Sequence, residues 1–321
     1  MDNSKRQLLT EVARAYYIEN RTQSEIASSV GISRSQVSRY LSEAREAGIV
    51  QIRIISADKS GSSLGEILLD RYPDLRDVIV APIFDTSPEV VRRTIGRYAA
   101  NYLKDMIRPD MRLTLGCGRS LLEMVKALPV IENPGLTVTQ AMGNIGHEAH
   151  EIDYNEITRE AAEKMGGRAF YVSAPAILGR GSDNAKTFIE TNPMLKQALD
   201  MARNAEVFVV GLGSLESDLV YSRAGLIDKE DLSDLCGEAV GDICGRFFDI
   251  YGDEKNSAFY DRIVGIELQN IQNGDLAVGV AGGTDKAAPL LGAIRGGLIN
   301  VLITDDQTLQ SILTLDDAYR V

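Results

Sequence analysis

"TQSEIASSVGISRSQVSRYLSEAREAGIV", Thr22–Val50, decides how the rest of the chain is read. Ile26, Ala27 and Val30 share one helical face. After Gly31 and Ile32, a second face carries Val37, Tyr40, Leu41 and Ala44. That spacing predicts two short amphipathic helices joined by a turn. Thr22 with Glu25, and Ser33 with Gln36, have the spacing of capping boxes, in which the first side chain and the fourth satisfy each other's backbone. Gly31 stands where the turn needs a left-handed residue. Ala27 is small where the helices must cross. Upstream, Leu8, Leu9, Val12, Ala13, Tyr16 and Tyr17 predict a third amphipathic helix that completes the core.

With Val37, Leu41 and Ala44 turned inward, Arg34, Ser35, Gln36, Ser38, Arg39 and Ser42 form an outer stripe without an acid. Arginine pairs with guanine and glutamine with adenine through two hydrogen bonds, and serine suits phosphates or either base. A recognition helix places such N-terminal residues in the major groove. The segment therefore predicts a helix-turn-helix that reads double-stranded operator DNA. The following "IVQIRIIS", Ile49–Ser56, predicts a strand that serves as a wing, with Arg53 on phosphate.

The chain's net charge is -12, which argues against nucleic acid only if the charge is spread evenly. It is not. The first 55 residues hold eight basic and six acidic residues, so the acidic excess belongs wholly to the remainder. Charges beyond a Debye length of about 10 Å are screened, so the small basic part is free to approach phosphate. At 321 residues two domains are expected. The boundaries read as 1–55 for DNA binding, a linker "SADKSGSS" at 56–63, and 64–321 for an effector and self-association. Cys117, Cys236 and Cys244 make no CxxC pair, which suits a reducing cytoplasm. No run approaches the roughly 18 apolar residues of a membrane helix. "MDNSKRQLLTEVARAYY" contains no apolar signal-peptide region. His147 and His150 have no evident third ligand, so neither a metal nor a cofactor is expected.

Beyond the linker, strand-like and helical segments alternate from "DVIVAPI" through "PEVVRRTIGRYAANYLKDMI" to "VLITD". This predicts an α/β domain with a mostly parallel, Rossmann-like sheet covered on both faces. In such sheets ligands sit past the carboxyl ends of the strands. Three strands end in glycine-rich turns: "TLGCGRSL" with Gly116, Gly118, Arg119 and Ser120; "GLGSLES" beginning at Gly211; and "GGTDKA" with Gly283, Thr284 as a helix cap and Lys286 in the first turn. Backbone N–H groups at such turns receive anions. None has the spacing of a nucleotide P-loop or a dinucleotide fingerprint. Together they predict a small phosphorylated ligand.

The helix-turn-helix stretch, "AVGDICGRFFD" (Ala239–Asp249) and "VGVAGGTDKAAPLLGAIRGGLINVLITDDQTLQSIL" (Val278–Leu313) resemble the SorC-type sugar-binding transcriptional regulators, also grouped with DeoR-like repressors. The resemblance covers essentially the whole chain. It implies an effector domain with the fold of sugar-phosphate isomerases, a phosphorylated sugar or polyol as effector, and dimers or tetramers. It also implies that Gly116, Gly118, Arg119 and Ser120 form the first phosphate-side loop. Gln140 and Gly143 of "QAMGN" match the next strand's end. Asp242 matches an acid that meets sugar hydroxyls, and Lys286 a lysine that meets phosphate or sugar oxygens. Ser120 replaces the more familiar threonine, and Asn144 replaces a second glycine. The segment "GHEAHEIDYN" from Gly146 has no family counterpart and is expected to shape ligand choice. Helix 64–71 reads either as a contact between subunits or as packing on its own domain. Two alternatives remain: an isomerase- or deaminase-like enzyme with Asp242 as base, and a helix-turn-helix used for protein contact.

Overall fold

The computed structural model describes residues 3–19, 21–47, 49–50, 60–132, 135–146, 153–181, 184–215, 220–228, 230–235 and 237–320. The chain divides into two units, Met1–Ala57 and Asp58–Val321.

The first unit has three helices: α1 (Asn3–Tyr17), α2 (Gln23–Val30) and α3 (Arg34–Glu46). Both capping boxes form. The Thr22 N–H donates to the Glu25 carboxylate at 2.8 Å and the Ser33 N–H to Gln36 Oε1 at 3.0 Å, while each cap hydroxyl accepts the return bond. Gly31 closes α2 with φ 74°, a conformation a side chain would strain. Leu9, Val12, Ile26, Val37 and Ala44 are fully buried, so the expected inward faces make the core. Val30 departs from expectation: as the last residue of α2 it remains 38% exposed. Ile49 and Val50 pack on this core without forming a strand. The rest of the expected wing, with Arg53, lies outside the described residues.

The second unit runs α4 (Ser60–Arg71), β1 (Asp77–Ala81), α5 (Pro88–Met106), β2 (Arg112–Leu115), α6 (Arg119–Ala127), β3 (Thr137–Gln140), α7 (Tyr154–Lys164), β4 (Arg168–Phe170), α8 (Ala185–Glu190), α9 (Pro193–Arg203) and β5 (Val207–Val210). It continues with β6 (Gly213–Ser214), α10 (Val220–Arg223), β7 (Gly241–Ile243), β8 (Arg246–Phe248), β9 (Glu254–Lys255), α11 (Leu268–Gln272), β10 (Leu276–Val280), α12 (Ala287–Arg295), β11 (Val301–Asp305) and α13 (Asp306–Tyr319). Ser60–Ser63, expected as linker, are instead the first turn of α4, and 56–59 lie outside the described residues.

The main sheet is parallel throughout, in the order β1-β11-β10-β5-β2-β3-β4. Successive strand residues point to opposite faces. Leu113, Leu115, Val207, Val209, Val278 and Val280 therefore enter one core with α5, α6 and α7, while Phe208, Val210, Ala277 and Leu302 enter another with α12 and α13. A second sheet, β6-β7-β8-β9, is antiparallel and was not expected from sequence; its strands have two or three residues each.

Helix α4 buries Leu68 completely and sets Gly65 against Val78 and Val80 of β1, so its inner face belongs to its own unit. Asp316 of α13 is fully buried and accepts hydrogen bonds from Arg71, Arg295 and Arg320 at 3.0, 2.9 and 2.8 Å, and from the Tyr72 hydroxyl. Those arginines end α4, α12 and α13, where the helix dipole also favours a cation.

Candidate functional site

Strands β10, β5 and β2 are neighbours at the centre of the sheet, so the three glycine turns that follow them lie side by side. From β2 the chain steps outward to β3 and β4; from β5 it steps the other way to β10 and β11. The order thus reverses between β2 and β5, the crevice where open α/β sheets hold ligands. The Gly116 N–H donates to the Val209 carbonyl at 2.8 Å, tying the first turn to β5. Gly118, at φ 147°, opens α6 and places Arg119 and Ser120 in its first turn. The Gly283 N–H donates to Asp305 Oδ2 at 2.9 Å and Thr308 Oγ1 at 2.8 Å, so the cap of α13 anchors the third turn.

One detail differs from expectation. Thr284 caps no helix: Thr284–Lys286 form a 3₁₀ turn with no side-chain cap, and Lys286 stands just before α12. The Gly211 turn leads directly into β6; residues 216–219 lie outside the described residues.

The turns open on a cavity of about 890 Å³. Gly118, Arg119, Ser120, Gly211, Asp242, Gly283 and Lys286 line it. Gly116, Gln140 and Gly143 do not. Gln140 is fully buried; its amide donates to Asn155 Oδ1 at 2.9 Å and accepts the Val172 N–H at 2.7 Å, so its polar groups serve the frame. The Gly143 N–H donates to the Val264 carbonyl at 2.9 Å. Arg92, Arg119, Arg223 and Lys286 line the cavity together with Glu89, Asp242 and Asp285, and Lys286 lies 3.4 Å from its neighbour Asp285.

Asp242 belongs to β7, paired to Gly213 across the small sheet, and is 3% exposed. Burial raises its carboxyl above the ordinary range, against the Gly245 N–H, the Tyr221 hydroxyl and the Lys286 charge, which favour the anion. Tyr154, Tyr221, Cys117 and Cys244 also line the cavity. Burial pushes the Cys117 thiol up to about 12 and the Cys244 thiol higher still, so both are poor nucleophiles at neutral pH. The Tyr154 hydroxyl is buried beside Cys117 and makes no hydrogen bond of ordinary geometry. A ligand hydroxyl would satisfy it. Sequence reasoning missed both tyrosines and both thiols. Tyr154 was visible only as part of "EIDYN", and Cys244 only as part of "GDICGRF".

In the first unit Arg34, Ser35, Ser38 and Arg39 are exposed on α3, as the outer stripe requires. Gln36 is half-buried with Oε1 occupied by its capping box. Ser42 accepts from Arg45 at 3.2 Å. Arg39 lies 3.6 Å from Glu43, which also pairs with Lys5 at 2.9 Å. The stripe therefore ends at an acid. His147, His150 and Cys236 lie outside the described residues, and among the described residues no group of three His, Cys, Asp or Glu could hold a metal. Among them, too, no helix is long and apolar enough to cross a membrane.

Residues 59–314 match the Sugar-bind family of sugar-binding domains, and residues 9–47 match region 4 of sigma-70. The deoxyribonucleoside regulator of Bacillus subtilis is 31% identical over 98% of this chain and 99% of its own. The transcriptional regulator LsrR of Escherichia coli K12 is 30% identical over 95% and 94%. Among solved structures, the full-length sorbitol operon regulator SorC from Klebsiella pneumoniae superposes with a TM-score of 0.76 at 25% identity, covering 98% of this chain and 99% of that one.

Proposed function

The chain belongs to the family of sugar-binding transcriptional regulators, and on that premise we propose that it controls a carbohydrate or polyol catabolic operon in response to a phosphorylated sugar or polyol. Residues 1–55 hold operator DNA and residues 64–321 hold the effector and the self-association surface. The convergence of three glycine turns on one cavity, with cations and the buried Asp242 in its wall, carries this assignment. Phosphate oxygens find backbone N–H groups, Arg119 and Lys286; ligand hydroxyls find Asp242 and the two tyrosines. The relatives' names point to deoxyribonucleosides and to sorbitol, a sugar-bearing and a polyol class, which supports this ligand chemistry.

A single helix-turn-helix covers little DNA, so a symmetric dimer or tetramer reads half-sites about 34 Å apart or multiples of that. The effector shifts DNA affinity only by its difference in affinity for the two states of the protein. The protein works by binding rather than by turnover. An isomerase needs a positioned base, which Asp242 with its raised proton affinity could supply; the reading as a binding protein is supported instead by relatives named as regulators along the whole chain. Thermal-shift screening against sugar phosphates, phosphorylated polyols and their unphosphorylated forms tests the ligand class. A ligand at 100 times its Kd adds about 2.7 kcal/mol of stability. Stabilisation by unphosphorylated compounds alone would remove the phosphate from the proposal. Turnover of ribose 5-phosphate above about 1 s⁻¹, an ordinary enzyme rate, would make the protein an enzyme.

A further inference from the structure

The hairpin that brings Asp242 to the first cavity carries Arg246 into a different one. Strands β7 and β8 are joined by the two-residue turn Cys244–Gly245, with φ 52° and 79°, and Ile243 pairs with Arg246. Arg246 lines a separate cavity of about 400 Å³, which shares no residue with the first. Arg246 is 6% exposed, and its guanidinium lies 4.4 Å from the centroid of the Tyr260 ring. Its hydrogen bonds are few and long: Nε to the Ile266 carbonyl at 3.5 Å and Nη1 to the Tyr260 carbonyl at 3.4 Å. Among the described residues it forms no ion pair. A buried charge is ordinarily paired with an opposite charge, because desolvation is expensive without one.

Three acids also line this cavity, Glu190, Asp261 and Glu267, and the Arg246 charge acts on nearby Glu254. Glu190 is held by Lys196 at 2.6 Å, and no acid lies within ion-pair distance of the Arg246 guanidinium among the described residues. Arg203, 3.6 Å from Asp200, and Lys186, exposed on α8, add two further cations to the wall, and Lys186 makes no ion pair among the described residues. Asn270 spends its carbonyl oxygen on the Glu267 N–H at 2.8 Å, which leaves its amide N–H groups as donors. A planar guanidinium fixed on an aromatic ring presents its fork to an oxyanion, which it binds through paired, charge-assisted bonds.

We propose that this cavity is a second ligand site, in which Arg246 and Lys186 hold a small oxyanion, a phosphate or a carboxylate, apart from the effector behind the glycine turns. Calorimetric titration of the full-length Lys286→Ala protein with inorganic phosphate, and separately with succinate, reads this site with the first cavity's lysine removed. Saturable binding of at least one anion is expected. Arg246→Gln, added to that background, abolishes it, and Lys186→Glu weakens it at least tenfold. Because Arg246 is buried and its variant could fail to fold, the exposed Lys186→Glu variant carries the decision on its own. Absence of saturation with both anions, or binding that Lys186→Glu leaves unchanged, overturns the proposal.

Discussion

The Tyr221 hydroxyl donates to Asp242 Oδ2 at 3.2 Å, and the Gly245 N–H donates to the same oxygen at 2.9 Å. Two donors converge on one oxygen of a carboxylate whose proton affinity burial raises. The other oxygen is left to whatever enters the cavity. A ligand hydroxyl bonding there would complete the carboxylate's shell in the bound state, while in the free protein burial disfavours its charge.

Asp242→Asn is therefore expected to stabilise the free protein and weaken its effector binding. The folded-state pKa is raised, so the carboxyl's contribution is intact below its unfolded pKa and is lost as pH rises through the folded value. The variant should exceed wild type in Tm at pH 7, and the gap should narrow as the pH is lowered toward 4. Losing a hydrogen bond to a charged group is worth about 1.5–3 kcal/mol, so effector affinity should fall roughly tenfold to a hundredfold. Thermal melts across pH and a ligand titration read both effects.

Asp316 has the opposite sign. Burial alone would raise its carboxyl, but hydrogen bonds from Tyr72, Arg295 and Arg71 and the Arg320 charge outweigh that and hold it below the ordinary range. Its contribution is present above the unfolded pKa and lost as pH falls through the folded value. Asp316→Asn removes the counter-charge of the partly buried Arg295 and one of the two acid partners of Arg71, which keeps Asp317 at 2.7 Å, a loss of about 1.5–3 kcal/mol at neutral pH. Urea denaturation should show that difference at pH 7 and a smaller one below about pH 4. An equal loss at both would mean that the cluster acts by packing alone.

Thr22→Ala and Ser33→Ala each remove the hydroxyl of a capping box. A lost N-cap destabilises by about 0.5–2 kcal/mol. The loss falls on the first unit, so operator binding should weaken while the effector-induced thermal shift is retained. Loss of both functions together would argue against two units folding on their own cores.

Arg39 is exposed and only loosely paired to Glu43. Arg39→Ala should weaken operator binding about tenfold or more without altering effector affinity. If Arg39 meets phosphate, the slope of log affinity against log salt should fall by about 1; if it meets a base edge, discrimination between operator and random DNA should fall instead. Unchanged operator affinity would mean that α3 presents another face to DNA.

The elements legible in sequence were those whose apolar residues keep one period over several turns. Both capping boxes, Gly31 and the inward set Val37, Leu41 and Ala44 could be placed because helix ends and faces obey local rules. The central strands of the parallel sheet were legible because they are buried on both faces and so read as short apolar runs. The sheet β6-β7-β8-β9 was not, because strands of two or three residues carry no period. The glycine turns announced a cavity, but not which neighbours line it. Gln140 looks like a ligand residue by its place at a strand end, yet its amide is spent on Asn155 and Val172, partners 15 and 32 residues away. Nothing in the sequence singles out Tyr154 or Tyr221, and only the folded chain shows that both line the cavity.

The most direct test concerns Lys286, which stands in the cavity wall near Asp242. Operator affinity of the full-length protein should be measured with and without the phosphorylated compound that most raises wild-type Tm, for wild type and for Lys286→Ala. The expected result is that wild-type operator affinity changes with ligand, while Lys286→Ala binds operator equally well and no longer responds. A Lys286→Ala protein that keeps both the wild-type thermal shift and the wild-type response would place the effector elsewhere.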